Sequence, residues 1–474
     1  MWEARCRWEA RWESGQGRED DGAWIPGTPS SRGRSAPGPF PARDLPGREV
    51  AGLPGVALPR PGGRSILGDM NPPLSSRPPA SPGTPAFRRQ FSLPPDLHYL
   101  NWAYMSPLPR GVEAAGIRGI RRKRDPSRVG PGDFFAEADE LRQAFARLLG
   151  DGGGPVEAER VSILPSVSYG VAICARNAGL GPGDEVVVAR DQFPGNVYGW
   201  MRAASEAGAR LRIVDPPSGP ARGAGWNQRL LEAVGPRTRV LALGHVHWAD
   251  GTLFDLEALG ARARDVGALL VVDGTQSIGA LPFPMDAVRP DAVLAAGYKW
   301  LLGPYSLALG WWGPAFDDGV PLEESWIARE GSRDFGGLVR YRDTYDPGAV
   351  RFDVGERSNF ILLPMMLAAL ELLRSWGGAA AVQAHARRLV RPFVERVRDA
   401  GFQVEEEEAR ASHLFGIRLP AGTSAEAVSR SLAARRVVAS VRGEALRISP
   451  HLLSDEQDLR ALEEALREAQ GPGA

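Results

Sequence analysis

From Phe91 onward the chain alternates helical spacing with short, unbroken apolar runs. Phe134–Leu149 carries apolar residues three and four apart, which predicts an amphipathic helix. Glu185–Ala189 (EVVVA), Leu211–Val214, Val240–Leu243 and Leu269–Val272 are compact apolar runs, as expected of strands buried on both faces. Helical patterns such as Phe254–Val266 separate them. This order predicts βαβ units and a mainly parallel sheet covered on both sides, over residues 111–345. Beyond residue 345 the order changes. Helices are expected over Leu362–Trp376 and Ala380–Ala400, a strand over Leu414–Leu419 and a helix over Ser424–Arg435. A strand pair ending at Leu446–Ile448 and a last helix from Asp455 complete a smaller α+β unit, residues 346–474. Residues 89–110 read as an N-terminal segment packed with that smaller unit.

The first 85 residues hold 15 of the 41 prolines and keep neither period. They bury too little apolar surface to offset chain entropy, so 1–88 is expected to be a disordered leader. Met70 precedes a short polar stretch. We expect translation to start there, so N-terminal peptide mass would find no residues 1–69.

Charge excludes some partners. Lys+Arg and Asp+Glu both number 57, so no general attraction to nucleic acid or an anionic membrane follows. Two cysteines exclude a disulfide framework and a Cys-based metal site, in keeping with a cytoplasmic protein. The longest apolar run, Phe360–Leu373, contains Pro364 and Glu371 and is too short to span a bilayer. The start, Met1–Gly15, is no secretory signal. Only two of the 57 basic residues are lysines, Lys123 and Lys299. Arginine replaces lysine wherever a plain positive charge suffices, so a retained lysine points to chemistry that needs a deprotonated amine.

Lys123 lies in an arginine run (RRKR). Lys299 lies in LLVVDGTQSIGALPFPMDAVRPDAVLAAGYKWLLGPYSLALGW, Leu269–Trp311. There a buried strand ends in Asp273, at the strand end where open α/β sheets bind ligands. A lysine that forms a Schiff base and an acid that keeps a pyridine nitrogen protonated are the needs of pyridoxal phosphate chemistry. Asp273 alone would be a turn cap. His245 and His247 share one face of a strand, but no third metal ligand accompanies them, so no metal is expected.

VVDGTQSIGALPFPMD followed by AAGYKWLLGP resembles the signature of the class V aminotransferase fold. That superfamily includes kynureninases, cysteine desulfurases, isopenicillin N epimerase-like proteins and aminotransferases. The resemblance runs from about His98 to Leu466. It implies a fold type I pyridoxal phosphate-dependent transferase. That fold has a large domain with a mainly parallel seven-stranded sheet and a small α+β C-terminal domain. The implied cofactor is pyridoxal 5'-phosphate, held by Lys299, and the implied substrate is an α-amino acid, a small molecule.

The resemblance assigns further roles. Ser166, Val167 and Ser168 (in LPSVS) form the phosphate turn at a helix start, and Tyr298 adds a phosphate contact. Phe193 stacks on the pyridine ring, and Ala296 lacks the phosphate-binding hydroxyl of the desulfurases. Gln276 and His247 approach the cofactor's phenolic oxygen. Arg447, in LRISPHLLSDEQDL, clamps the substrate carboxylate. The opening HYLNWAYMSPLP resembles epimerase-like members and puts Asn101 at the substrate. FDVGERSNF, Phe352–Phe360, resembles a stretch that reaches toward a partner subunit, implying a homodimer with shared active sites. A transaminase or lyase is the reading. A kynureninase-like hydrolase or epimerase-like racemase is the alternative, and an inactive binding protein of the same fold the non-enzyme one. No cysteine follows Cys174, which disfavours a classical desulfurase. No G-x-G-x-x-G joins a strand to a helix, which disfavours a nicotinamide enzyme.

Overall fold

The computed structural model describes residues 81–219, 222–420, 422–443 and 445–470. Most of the expected leader, and the Met70 start, lie outside the described residues. The leader's last turn does not. Pro85–Arg88 is a short helix (α1) capped by Thr84, and it buries Phe87. Ordered structure is therefore present before residue 89.

Thirteen strands and twelve α-helices, α1 included, occur in chain order among the described residues. The strands are β1 (His98–Tyr99), β2 (Val161–Leu164), β3 (Glu185–Ala189), β4 (Arg210–Val214), β5 (Thr238–Gly244), β6 (Leu269–Asp273) and β7 (Ala292–Ala296). Then come β8 (Ala308–Trp312), β9 (Gln403–Val404), β10 (Phe415–Arg418), β11 (Val437–Val438), β12 (Ser440–Arg442) and β13 (Ala445–Ile448). The helices after α1 are α2 (Arg110–Arg122), α3 (Ala136–Gly150), α4 (Val167–Asn177), α5 (Tyr198–Ala207), α6 (Arg222–Ala233) and α7 (Leu256–Asp265). The last are α8 (Met285–Val288), α9 (Leu362–Ser375), α10 (Gly378–Asp399), α11 (Ala425–Ala434) and α12 (Glu456–Gln470).

Seven strands form one sheet in the order β2-β8-β7-β6-β5-β3-β4. Only β8 runs against the others. Alternate residues of the strands other than β4 enter different cores, as the two-residue strand period requires. Strand β4 lies at the sheet edge and buries only Val214, so the run Leu211–Val214 is not covered on both faces as expected. Val186, Val188, Val240, Ala242, Val271 and Leu294 pack beneath α4 and α5. Val187, Leu241, Leu243, Val272, Val293 and Ala295 face α3, α6, α7 and α9. Burial on both faces is why these strands read as unbroken apolar runs.

A second, antiparallel sheet has the order β12-β13-β10-β9. It packs with α11, α12 and the second half of α10. The N-terminal segment joins it through β1, which pairs with β11, and through Leu100 in the same core. The boundary expected at residue 346 falls later. Leu363, Met366, Leu370 and Leu373 of α9 belong to the core of the large sheet, and α10 carries Val382 there and Phe393 in the smaller core. The apolar face of α9 packs on α2 and α3, which sequence spacing does not reveal. Among the described residues no single helix is long and apolar enough to cross a membrane.

Asp353 ties the FDVGERSNF segment to its own chain. Its carboxylate accepts from Arg142, from Arg357 Nη1 at 2.6 Å and from the backbone N–H of Ile163 in β2 at 2.8 Å. All three side chains are buried. Asp353→Ala leaves two buried guanidinium groups unpaired and is expected to cost about 3–5 kcal/mol. A urea unfolding midpoint unchanged from the wild type would refute this.

Candidate active site

The site lies at the carboxyl ends of the central strands. Register pairs Gly244 of β5 with Asp273 of β6, and Asp273 with Leu294 of β7. Around them opens a cavity of about 290 Å³, lined by all the residues from Pro165 to Ser168 and by Phe193, His247, Asp273, Gln276, Tyr298 and Lys299. Residues as far apart in the chain as Pro165 and Leu307 thus meet in one place because parallel strands end at the same edge.

Lys299 sits in the turn after β7. Gly297 makes the turn possible, since a Cβ there would lie 2.7 Å from the Leu307 carbonyl oxygen and 2.7 Å from Met366 Cε. The chain folds back through Leu302 and Ser306, both at positive φ (59° and 64°). Such non-glycine geometry costs about 1–3 kcal/mol each and recurs at functional sites. Trp300 anchors the turn from behind, its indole donating to Gln276 Oε1 at 2.8 Å. The Lys299 side chain is only 6% exposed, and its Nζ lies 5.3 Å from the Phe193 ring centroid and 5.4 Å from that of Tyr298.

Burial pushes the Lys299 amine down to about 8, with Asp273 opposing and Arg447 and Arg442 adding to the shift. Asp273, open to the cavity but otherwise enclosed, is raised by burial, against its bonds to Thr275 and the pull of Lys299. The Thr275 N–H donates to Asp273 Oδ1 at 3.0 Å, and Thr275 Oγ1 accepts from the Ala296 N–H at 3.2 Å. Thr275 therefore fixes the carboxylate against β7.

Helix α4 starts at the cavity wall. Ser166 is its N-cap, accepting from the Tyr169 N–H at 3.2 Å, and this leaves early N–H groups of the helix for an anion. Ser168 Oγ faces Gly195, where a Cβ would come within 2.9 Å of it, so glycine keeps the hydroxyl accessible. Tyr298 lies across the cavity, its phenol pushed up to about 12 by burial.

Three expected contacts differ in detail. His247 lines the cavity, but its Nδ1 meets Asp250 at 2.9 Å and its Nε2 meets the Asp191 carbonyl at 3.3 Å. Its ring nitrogens thus serve the loop rather than a phenolic oxygen. Gln276 also lines the cavity, yet it accepts from Trp300 and donates to the Ala103 carbonyl at 3.0 Å. Asn101 does not line the cavity. Its Oδ1 accepts from Ser440 at 2.8 Å and from Arg447 Nη2 at 3.4 Å, so it positions the arginine.

Arg447 is 2% exposed and donates from Nη1 to the Trp248 carbonyl at 2.9 Å. Burial first, then Arg442, lowers its guanidinium to about 10. Trp248 links it to the cavity. The Trp248 ring lies 5.5 Å from the Phe193 ring centroid, nearly perpendicular to it, and its indole donates to the Asp191 carbonyl at 2.6 Å. Thr275, Trp248 and Arg442 are site residues that sequence reading missed. A bulky aromatic inside the otherwise polar turn HWADGT was the signal for Trp248. Among the described residues no group of three His, Cys, Asp or Glu could hold a metal.

The chain is similar to known proteins over most of its length. Residues 168–311 match the sequence model of the family described as Aminotransferase class-V. That stretch holds Phe193, Asp273 and Lys299, so the central part of the site carries the class V aminotransferase pattern. It is 27% identical to isopenicillin N epimerase of Streptomyces clavuligerus over 401 residues, 80% of this chain and 96% of that protein. It is 28% identical to kynureninase of Pseudomonas fluorescens over 268 residues, 54% of this chain and 60% of that protein. Cysteine desulfurase CsdA of Escherichia coli has the same fold, with a TM-score of 0.67 at 19% identity, covering 81% of this chain and 97% of that one. A C-DES structure, described with glycine covalently linked to the PLP cofactor, matches at TM-score 0.68 and 19% identity, covering 81% of this chain and 99% of that one. The shared fold is that of the type I pyridoxal phosphate enzymes, and the C-DES structure carries pyridoxal 5'-phosphate as its cofactor. The residues fit it. A buried amine, a carboxylate in the same cavity, a helix start for an anion and an aromatic ring at one wall answer an aldehyde, a ring nitrogen, a phosphate and a flat ring.

Behind Gln276 lie buried imidazoles. His413 Nε2 contacts the Gln276 carbonyl at 2.7 Å, and Gln383 contacts His413 Nδ1 at 2.7 Å, which assigns the neutral Nε2–H tautomer. His451 stacks on Trp102 at 4.1 Å. Burial holds His413 down to about 4 and His245 and His451 down to about 3. Folded-state depression stabilises the fold fully above the ordinary histidine range, and this is lost as pH falls toward 4. Between pH 7.5 and 5.5 each group is expected to remove up to roughly 1.4 kcal/mol. Equal unfolding midpoints at the two pH values would sink this expectation.

Proposed function

We propose that this protein is a pyridoxal phosphate-dependent enzyme acting on an α-amino acid, of transaminase or lyase type. The observation that carries it is a buried lysine with a depressed amine in one cavity with an enclosed aspartate. Bound pyridoxal phosphate supplies an aldehyde for amino groups and a ring that takes up electrons from the substrate's Cα. Lys299 would hold the cofactor through its amine and, when displaced, move the proton at Cα. Asp273 would keep a proton on the ring nitrogen. Phe193 would cover the ring. Ser168, the N–H groups at the start of α4 and Tyr298 would hold the phosphate. Arg447 would orient the α-carboxylate through its bidentate fork, steadied by Asn101 and the Trp248 carbonyl.

Two features bear on the reaction. The relatives carry epimerase, kynureninase and desulfurase names, so family membership alone does not select one. Cys174, the one cysteine among the described residues, is buried, which counts against sulfur relay by a mobile thiol. We further propose a cytoplasmic homodimer, supported by exposed apolar residues Ile117, Ile120 and Ile361 where α2 meets α9. Light scattering that gives a monomer mass would rule out the dimer. The central test is addition of pyridoxal phosphate to the purified chain. We expect a visible absorbance band that shifts with individual amino acids, and absence of the band defeats the reading. Product analysis then separates pyruvate, anthranilate, sulfide, a new amino acid or racemised substrate.

A further inference from the structure

Arg442 and Arg447 project from one side of the β12–β13 hairpin. Arg442 pairs with Ala445, and Ser440 pairs with Arg447, which makes the two arginines diagonal neighbours on one face. Diagonal neighbours in a sheet have Cβ atoms about 7–8 Å apart, close enough for long side chains to converge. They do converge. Both guanidinium carbons lie 5.9 Å from the Trp248 ring centroid, and Trp248 lines the cavity that holds Lys299. Both arginines also act on the Lys299 amine as neighbouring positive charges.

Among the described residues no carboxylate forms an ion pair with either arginine. Nearby Arg222 and Arg418 both approach Asp250, at 3.6 Å and 3.9 Å. Arg447 meets only the neutral oxygens of Trp248 and Asn101, and Arg442 Nη1 meets the Val441 carbonyl at 3.0 Å, among the described residues. The Nε of each is enclosed without a partner among the described residues. Two like charges held together in a partly dry site cost free energy unless an anion lies between them. One substrate carboxylate occupies one guanidinium fork and leaves the other unmatched.

We propose that Arg442 binds a second anionic group on the substrate, which makes the preferred substrates amino acids with an acidic side chain. The inference rests on the reading of this site as one for an α-amino acid. It assigns a specificity role to a residue half-buried at the tip of the small sheet.

The test compares glutamate with glutamine, which match in shape and differ in charge. The holoenzyme is expected to favour glutamate at least tenfold in kcat/KM, with most of the difference in KM. Arg442→Gln should reduce that discrimination at least tenfold while the cofactor absorbance is retained. Arg442→Lys, which keeps the charge and loses the fork, should retain at least a third of it. Calorimetric binding of glutarate against butyrate gives the same comparison without turnover, and the variant should lose the glutarate preference. A glutamate-to-glutamine ratio within twofold of wild type in a variant that keeps its absorbance overturns this proposal alone. Failure of the wild-type chain to take up pyridoxal phosphate overturns the functional reading, and this proposal with it.

Discussion

Lys299→Arg is expected to lower turnover by at least about 10⁴-fold, the upper range of general acid–base catalysis by one group. The substitution keeps the positive charge and most of the side-chain length. It removes the one property arginine lacks, a neutral amine near neutral pH. The chain uses arginine for 55 of its 57 basic residues, so this exchange is otherwise the mildest it could receive. Borohydride treatment of the wild type with pyridoxal phosphate should leave the cofactor's mass on the peptide containing Lys299, and the variant should carry none there. A labelled peptide elsewhere would exclude Lys299 as the anchor. The pH dependence follows from the amine at about 8. Below that value the neutral fraction falls tenfold per pH unit, and above it the fraction levels off. Covalent capture should follow the same curve. An inflection near the ordinary lysine value would show that burial does not tune the amine.

Asp273→Asn is expected to retain cofactor uptake and to lower turnover by about 10²–10³-fold, the usual cost of removing one preorganised electrostatic partner. Asparagine keeps the shape and the hydrogen bond from the Thr275 N–H. It removes the charge that would hold a proton on the ring nitrogen. It also removes the one interaction that raises the Lys299 amine against burial. The inflection for capture should therefore move below that of the wild type. Wild-type turnover in Asp273→Asn would remove this residue from the chemistry. An unmoved inflection would mean that the carboxylate does not act on the amine.

Much of this site was legible in the sequence because it is built from strand ends. The run Leu269–Val272 had to be a buried strand, which put Asp273 at its carboxyl end. The near-absence of lysine singled out Lys299. The partners of His247, Gln276 and Asn101 were not legible. His247 turns one nitrogen to nearby Asp250, but its other contact, with Asp191, and the contacts of Gln276 with Trp300 and of Asn101 with Ser440 join residues distant in sequence, and local spacing carries no information about those. Arg442 was hidden for another reason. Among 55 arginines, identity says nothing, and only the register of a hairpin puts it beside Arg447.

The sequence by itself determined the helix and strand order, the parallel sheet and the lysine–aspartate pair. Apolar periodicity and residue chemistry act over a few positions, and the chain records them directly. Tertiary structure decided which core receives α9, how Asp353 locks its segment to β2, and that two arginines converge on Trp248. Those outcomes depend on side-chain packing and on charges brought together from far along the chain, where the low dielectric of a buried site magnifies each pairing.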